Sequence, residues 1–356
     1  LKATVLHIIE SLVIGGAEVL LTESLKDISN EYRHVVVYMR EPATLLPEVK
    51  ADKIYCLNYS GKYSLLKCVY RLRKILKDEN VRLIHAHHYW PTIVARLAKP
   101  KNIKLISTVH GLLSKDAFQS NRLSLYLEQL TYSKKSHLVF VSEAVAHDYK
   151  KYVSVGPECS VCYNFVKDDF YLPEYAGQGK VDQKTFRLVA VGTLKVAKNH
   201  AFLLEAFELL KQEEIYLDII GEGPLRDELQ RAITNKGLTK VKLQGEHQKI
   251  YELLQLYDGF ILASTHEGFG IAMVEAMAIG LPCILSDIEA HREVTANNEL
   301  FFDLSSPANC AKQILKLKNN AELRYKLSLS GKTRAQEFKK EVYLHKIEAL
   351  YRQYLS

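Results

Sequence analysis

The stretch STHEGFGIAMVEAMAIGLP, residues 264–282, sets two glutamates, Glu267 and Glu275, on either side of a glycine-bearing loop that leads into an apolar run. The segment GFILAS (259–264) reads as a strand, and a helix is expected to start near Gly270 or Ile271, with Glu275 about one turn in. A strand followed by a glycine loop and a helix start presents free N–H groups and the positive end of a helix dipole. Carboxylates accept hydrogen bonds from hydroxyl pairs, so one glutamate suits a sugar and the other a ribose, with phosphate between them. Carboxylates beside a phosphate repel it unless hydroxyls intervene, which favours a nucleotide sugar over a bare phosphate. The plainer alternative is a helix start stabilised by acidic residues, worth about 0.3–1 kcal/mol. It leaves the glycines and Phe269 without a reason.

The same alternation of short apolar runs and helical patterns continues in both directions and predicts parallel sheets covered by helices. TVLHII (4–9), HVVVYM (34–39), KIYCL (53–57), RLIHAH (82–87), KLISTVH (104–110) and HLVFVS (137–142) form one series. RLVAVG (187–192), YLDIIG (216–221), VKLQG (241–245), GFILAS, PCILSD (282–287) and LFFDL (300–304) form another. The expectation is an α/β protein of two doubly wound domains, 1–167 and 168–335, joined through the Pro- and Gly-containing segment 168–184. The last stretch, 336–356, is helical in pattern and is expected to cross back to the first domain. Open α/β sheets bind ligands at the carboxyl ends of their strands, so a cleft between two such domains is the default site.

At 356 residues, 47% hydrophobic, the chain can bury a large core. No apolar run approaches the roughly 20 residues that span a bilayer, so neither a transmembrane helix nor a signal peptide is expected. Six scattered cysteines suggest no disulfide framework and fit a reducing cytoplasm. Cys159 and Cys162 form a lone C-x-x-C in a short strand-like segment, read as structural. The net charge of +7 is not gathered into a stripe interleaved with aromatics, which argues against nucleic-acid binding. In KYSLLKCVYRLRKILKDEN (62–80), however, Lys67, Arg71 and Lys74 fall at helical spacing among Leu66, Val69, Tyr70 and Leu76. The stretch near 62–77 is either an ordinary surface helix or a basic amphipathic one that touches an anionic membrane.

Further turns follow other strands. Gly15 and Gly16 precede a helix starting near Ala17, a place for an anion, although the pattern is not the dinucleotide G-x-G-x-x-G. Gly192 ends a strand, with Lys195 and Lys198 close behind as candidate phosphate cations. In GEGP (221–224), Gly223 leaves room for a flat group such as a base, or simply makes a tight turn. IHAHHYWP (84–91) crowds three histidines without an adjoining carboxylate or cysteine. His87, His88 and Trp90 are therefore expected to line an acceptor site rather than hold a metal, with Trp90 stacking on a sugar or covering the core.

These residues together resemble the retaining glycosyltransferases of the GT-B fold, glycosyltransferase family 4 in particular. The matching positions are Gly-Gly-Ala-Glu (15–18), His110-Gly111, VSEAV (141–145), Asn164, Gly192 with Lys198, GEGP, and EGFGIAMVEAMAIGLP (267–282), the most specific. The resemblance implies two Rossmann-like domains facing each other across a deep cleft, the first for the acceptor and the second for the donor. It implies that Glu275 holds the donor ribose and Glu267 the donor sugar, with N–H groups around Phe269, Gly270 and Ile271 near the diphosphate or sugar. Lys198 would contact the diphosphate, His110 would lie by the donor sugar, and Gly15 and Gly16 would approach the diphosphate.

The family has an arginine directly after the glycine where this chain has Thr193, and Lys195 is a candidate replacement. The implied reaction is transfer of a glycosyl group from a nucleoside-diphosphate sugar, UDP by commonness, to an acceptor hydroxyl with retention. No cofactor is expected, and the absence of an Asp-x-Asp motif fits a metal-independent enzyme. A glycan or lipid-linked glycan acceptor would place the protein in the cytoplasm, at the inner face of the cell membrane. Competing readings are a nucleotide-sugar epimerase or hydrolase using the same donor residues, and a binding protein without turnover, for which Thr193 is the only hint.

Overall fold

The computed structural model describes residues 2–119, 122–171, 185–247 and 249–356. It divides into two compact units, Leu1–Phe165 with Lys340–Ser356, and Val166–Lys339. The divisions fall a few residues away from those expected at 167/168 and 335/336. Val166 and Lys339 form a parallel bridge, and the Val166 N–H donates to the Phe338 carbonyl at 3.0 Å, so both belong to the second unit. Of the segment 168–184, Asp168–Phe170 form a single 3-10 turn, and 172–184 lie outside the described residues.

The first unit is built on strands β1 (Ala3–Ile9), β2 (Tyr32–Tyr38), β3 (Lys53–Cys56), β4 (Val81–His87), β5 (Lys104–Val109), β6 (His137–Phe140) and β7 (Cys159–Val161). They form one sheet in the order β3-β2-β1-β4-β5-β6-β7, and every described pairing is parallel. Such a sheet is buried on both faces, which is why its strands read as near-continuous apolar runs. Alternate residues serve opposite faces. Val5, Ile9, Val36, Leu83, Ile106 and Val139 pack with one core, while Leu6, Ile8, Val35, Val37 and Ile84 pack with the other.

The last helix, Lys340–Leu355, completes the first of these cores with Tyr343, Leu344, Ile347 and Tyr351. Polar contacts fix its position. Lys340 pairs with Asp27 at 2.7 Å, Glu348 accepts from the Ser29 N–H at 2.8 Å, and the Tyr351 hydroxyl meets His85 Nδ1 at 2.6 Å.

The second unit carries β8 (Phe186–Val191), β9 (Ile215–Ile220), β10 (Val241–Gly245), β11 (Gly259–Leu262), β12 (Cys283–Ser286) and β13 (Leu300–Phe302), ordered β10-β9-β8-β11-β12-β13 and again parallel. The helix Ile271–Ile279, IAMVEAMAI, has Glu275 as its only charged residue and buries six of its nine side chains, as expected of a core helix rather than an amphipathic surface one. In each sheet the strand order reverses once, at β1/β4 and at β8/β11, and such switch points leave a crevice beyond the strand ends.

Ile347, 2% exposed in the last helix, tests that the chain end belongs to the first core. Ile347→Ala should destabilise that unit by about 2–5 kcal/mol. Urea unfolding with and without the substitution measures this.

Candidate functional site

In the second unit the two loops at the switch point are joined directly. The Thr265 N–H donates to the Ala197 carbonyl at 2.9 Å, linking the loop after β11 to the loop after β8. Lys198 ends a 3-10 turn, Val196–Lys198, before the helix His200–Glu208, and its ammonium donates to Glu267 Oε1. The Ser264 hydroxyl donates to the same Oε1 at 2.7 Å, so Oε2 of Glu267 accepts neither of these bonds. Burial acts to raise the Glu267 carboxyl, but the Lys198 charge, a smaller effect of His291 and these two hydrogen bonds outweigh it, and the group stays below the usual carboxylate value.

Glu275 behaves differently. Among the described residues it makes no hydrogen bond or ion pair, and burial raises its carboxyl to about 7 against the pull of Lys167 and Lys198. Gly270 precedes the helix at φ 86°, a left-handed conformation that a side chain would strain, and its carbonyl accepts the first helical bond from Met273. Phe269 is only 2% exposed and packs edge-on against Phe338 at 5.3 Å, so its ring belongs to the core and it can offer a ligand only backbone.

Gly223 owes its identity to packing. A Cβ there would sit 2.6 Å from the Leu194 carbonyl oxygen, and one on Gly221 would sit 2.2 Å from that of Gly192. The GEGP turn thus lies directly under the loop carrying Gly192, Thr193 and Lys195, with the Leu194 N–H donating to the Glu222 carbonyl at 2.9 Å. The room expected there for a flat group is filled by that loop. Thr193 and Lys195 are exposed.

Sequence reasoning passed over His291. It is fully buried, its Nδ1 lies 2.9 Å from the Ser286 carbonyl, and its Nε2 makes no hydrogen bond among the described residues. A proton on Nδ1 leaves Nε2 a bare acceptor, on the ring whose Cδ2 lies 3.8 Å from where a Cβ on Gly270 would be. Its sequence signal is slight, a histidine in the helix Glu289–Val294 just after a buried strand.

In the first unit, Gly15 caps the helix Gly16–Asp27 and Glu18 folds back over it, its Oε2 2.4 Å from where a Gly15 Cβ would stand. Burial raises the Glu18 carboxyl to about 7. His88 stands before the helix Tyr89–Ala98 at φ 68°, with Nδ1 4.0 Å from Glu18 Oε1. His110 follows β5, and its Nε2 lies 3.1 Å from His87 Nδ1.

Two expectations change here. His87 is 0% exposed and supports His110 from below, so it does not line an acceptor site. Trp90 is partly buried and packs against the core that contains Leu72 and Val94, with Tyr89 edge-on at 5.0 Å, so it covers the core. His88 stays partly exposed. On the helix Leu65–Asp78, Val69 and Leu76 face the core, whereas Leu66 (78%) and Tyr70 (72%) stand exposed with Lys67 and Lys74. Arg71 is partly held back by the Leu57 carbonyl at 2.6 Å. Among the described residues no helix is long and apolar enough to cross a membrane.

Burial holds His7, His34, His85, His87, His88, His110 and His137 of the first unit below the ordinary imidazole value. The unfolded chain then binds more protons below pH about 6.5, so stability falls as the pH drops through that value. Glu18, raised to about 7, works the other way, one group against seven. Hydrogen exchange of β1, β4 and β5 should show weaker protection at pH about 5.5 than at about 7.5 after correction for intrinsic rates. Equal protection would mean that these rings are not buried neutral. In the second unit Gly221→Ala should cost about 1–3 kcal/mol through the clash with Gly192, read by urea unfolding.

Residues 14–170 match the family described as Glycosyltransferase Family 4, and residues 173–334 match Glycosyl transferases group 1. The chain is 23% identical over 298 residues to the N-acetyl-alpha-D-glucosaminyl L-malate synthase of Bacillus anthracis, covering 79% of this chain and 77% of that one. It is 25% identical over 352 residues to a Campylobacter jejuni enzyme, N-acetylgalactosamine-N,N'-diacetylbacillosaminyl-diphospho-undecaprenol 4-alpha-N-acetylgalactosaminyltransferase, covering 93% and 94%. The fold is shared with Anabaena HepE, solved in complex with UDP and glucose, at TM-score 0.84 and 19% identity over 99% of this chain and 100% of that one. With one glycosyltransferase family matched on each of its two parallel-sheet units, the chain is a family 4-like glycosyltransferase and has the GT-B fold.

Proposed function

We propose that the protein transfers a glycosyl group from a UDP-sugar to a hydroxyl of a glycan or lipid-linked glycan, with retention of anomeric configuration and without a metal or cofactor in the reaction. The observation that carries this is the pair of unlike carboxyls at the β8/β11 switch point. Glu267 is held ionised by Lys198 and keeps Oε2 for a sugar hydroxyl, while Glu275 is half-buried, has no hydrogen bond or ion pair among the described residues and is suited to a ribose hydroxyl pair. The naming of UDP and glucose with HepE and of a diphospho-undecaprenol in the Campylobacter enzyme supports the donor and acceptor classes.

In this reading the second unit binds the donor. As the diphosphate leaves, negative charge builds on it, and the Lys198 ammonium together with the N–H groups at Gly270 and Ile271 stabilises that charge. Lys195, exposed on the same loop, supplies the second cation that Thr193 does not. Gly192 lets the backbone approach the diphosphate closely. The first unit contributes Gly15 and Gly16 near the diphosphate, His110 near the donor sugar, and His88 on the acceptor side. The exposed Leu66 and Tyr70 with Lys67 and Lys74 hold the protein to an anionic membrane at its cytoplasmic face, where a lipid-linked acceptor lies.

UDP should raise the melting temperature equally with magnesium and with EDTA, and GDP and ADP should do less. A requirement for the metal would end the metal-free reading. Glu275→Ala should weaken UDP binding about tenfold or more, because a hydrogen bond to a charged group contributes about 1.5–3 kcal/mol. Lys198→Ala should lower kcat by about 10²–10³ with a smaller change in donor affinity. Equal losses would make Lys198 a ground-state binder. Cosedimentation with vesicles containing anionic lipid should fall for a Leu66→Ser, Tyr70→Ser double variant.

A further inference from the structure

The buried histidines of the first unit form a pattern that glycosyl transfer does not use. His7 on β1 pairs in register with His85 on β4, and His87 follows two residues later on the same face. One ring nitrogen from each of His7, His85 and His87 lies within 4.8 Å of the others. Three atoms so placed share a centre no more than about 2.8 Å from each, and zinc binds imidazole nitrogen at about 2.0–2.1 Å. A shift of about 0.7 Å per ring closes that gap.

The bonds around this centre are those that orient ligands. His7 Nε2 lies 3.1 Å from His34 Nδ1, and His87 Nδ1 lies 3.1 Å from His110 Nε2. His85 has Tyr351 at 2.6 Å on Nδ1 and Thr108 at 2.8 Å on Nε2, so an ion taken by either nitrogen displaces one of these hydroxyls while the other orients the ring. The nitrogens left over, His7 Nδ1 and His87 Nε2, are buried and make no hydrogen bond among the described residues. Metal-bound histidines characteristically donate their second N–H to such a partner. Burial also keeps all three rings neutral, the form that binds metal.

We propose that His7, His85 and His87 bind a late first-row divalent ion, zinc foremost, as a structural centre joining β1 to β4. Three neutral imidazoles with no carboxylate select such an ion over magnesium or calcium, which prefer oxygen ligands. The fourth position is taken by water or hydroxide. The ion has a second effect. With Nε2 of His87 on the metal, its proton must sit on Nδ1 and be donated to His110 Nε2, so neutral His110 carries its own proton on the buried Nδ1, which is left as a donor. The proposal does not depend on which sugar or acceptor the enzyme uses.

The test uses tag-free full-length protein unfolded in urea and refolded with Co(II) or Zn(II), then passed over a chelating resin, because the centre is closed to solvent. The expected result is one ion per chain, visible tetrahedral Co(II) bands, and a higher melting temperature than protein refolded in EDTA. His7→Leu, which fills the space without a ligand, should abolish both the bands and the metal-dependent stabilisation while circular dichroism remains native. His345→Ala, at a site on the last helix outside the cluster, should bind as the parent does. Refolded parent protein without bound metal would overturn the proposal. So would one ion per chain that persists in folded His7→Leu. If His7→Leu fails to fold, X-ray absorption of the Zn(II)-bound parent decides. Three imidazoles around zinc uphold the proposal, and any other ligand set overturns it.

Discussion

Strand direction constrains everything else in this molecule. When all strands of a sheet run parallel, every strand ends on the same edge, and each connection must return through a helix on one face or the other. Where the order reverses, successive helices lie on opposite faces and the loops part. Here that happens once per sheet, and the residues with unusual chemistry collect there. Gly15, Glu18, His88 and His110 follow β1, β4 and β5, and Gly192, Lys198 and Glu267 follow β8 and β11. The loops are fitted to one another before any ligand is considered, as the contact of Thr265 with Ala197 and the close packing of Gly221 and Gly223 under residues 192–194 show.

Titratable groups taken out of water meet two fates here. In the first unit a cluster of imidazoles is surrounded by apolar side chains and by other imidazoles, so that burial strips the rings of charge. At the switch point of the second unit stand two half-buried carboxyls, of which only one has a cation beside it. Lys198 and Ser264 keep Glu267 charged, whereas Glu275, one turn into an apolar helix, is left with burial as the dominant effect. A charge without a partner in such a helix is a standing cost that hydroxyl donors on a ligand would relieve.

Much of this was readable in the residues. The strands were legible because doubly buried parallel strands write themselves as unbroken runs such as HVVVYM and GFILAS, and the loop with Glu267 and Glu275 stood out because glycine, acid and apolar helix are an odd combination. What escaped was side-chain direction. His87 and His88 are neighbours, yet the first ends a strand and faces inward while the second turns through a positive φ and stays partly exposed. A row of histidines does not announce that break. Phe269 looked like part of a loop but anchors on Phe338, nearly seventy residues away, and Gly223 looked like space for a ligand until the loop above it was seen. His291 becomes notable only through a neighbour, Ser286, that no spacing rule picks out.

The bridge between Val166 and Lys339 means that the second unit begins and ends at one spot and sits in the chain as an insertion. The first unit is consequently split in the order of synthesis. All of Val166–Lys339 is synthesised before Tyr343, Ile347 and Tyr351, which cover the waiting face of the first sheet. The first unit therefore cannot complete its core until the whole of the second has been made. The nascent amino-terminal half, with His85 still lacking its tyrosine, is left open until the final turn of helix emerges, and that interval is when a chaperone would find it.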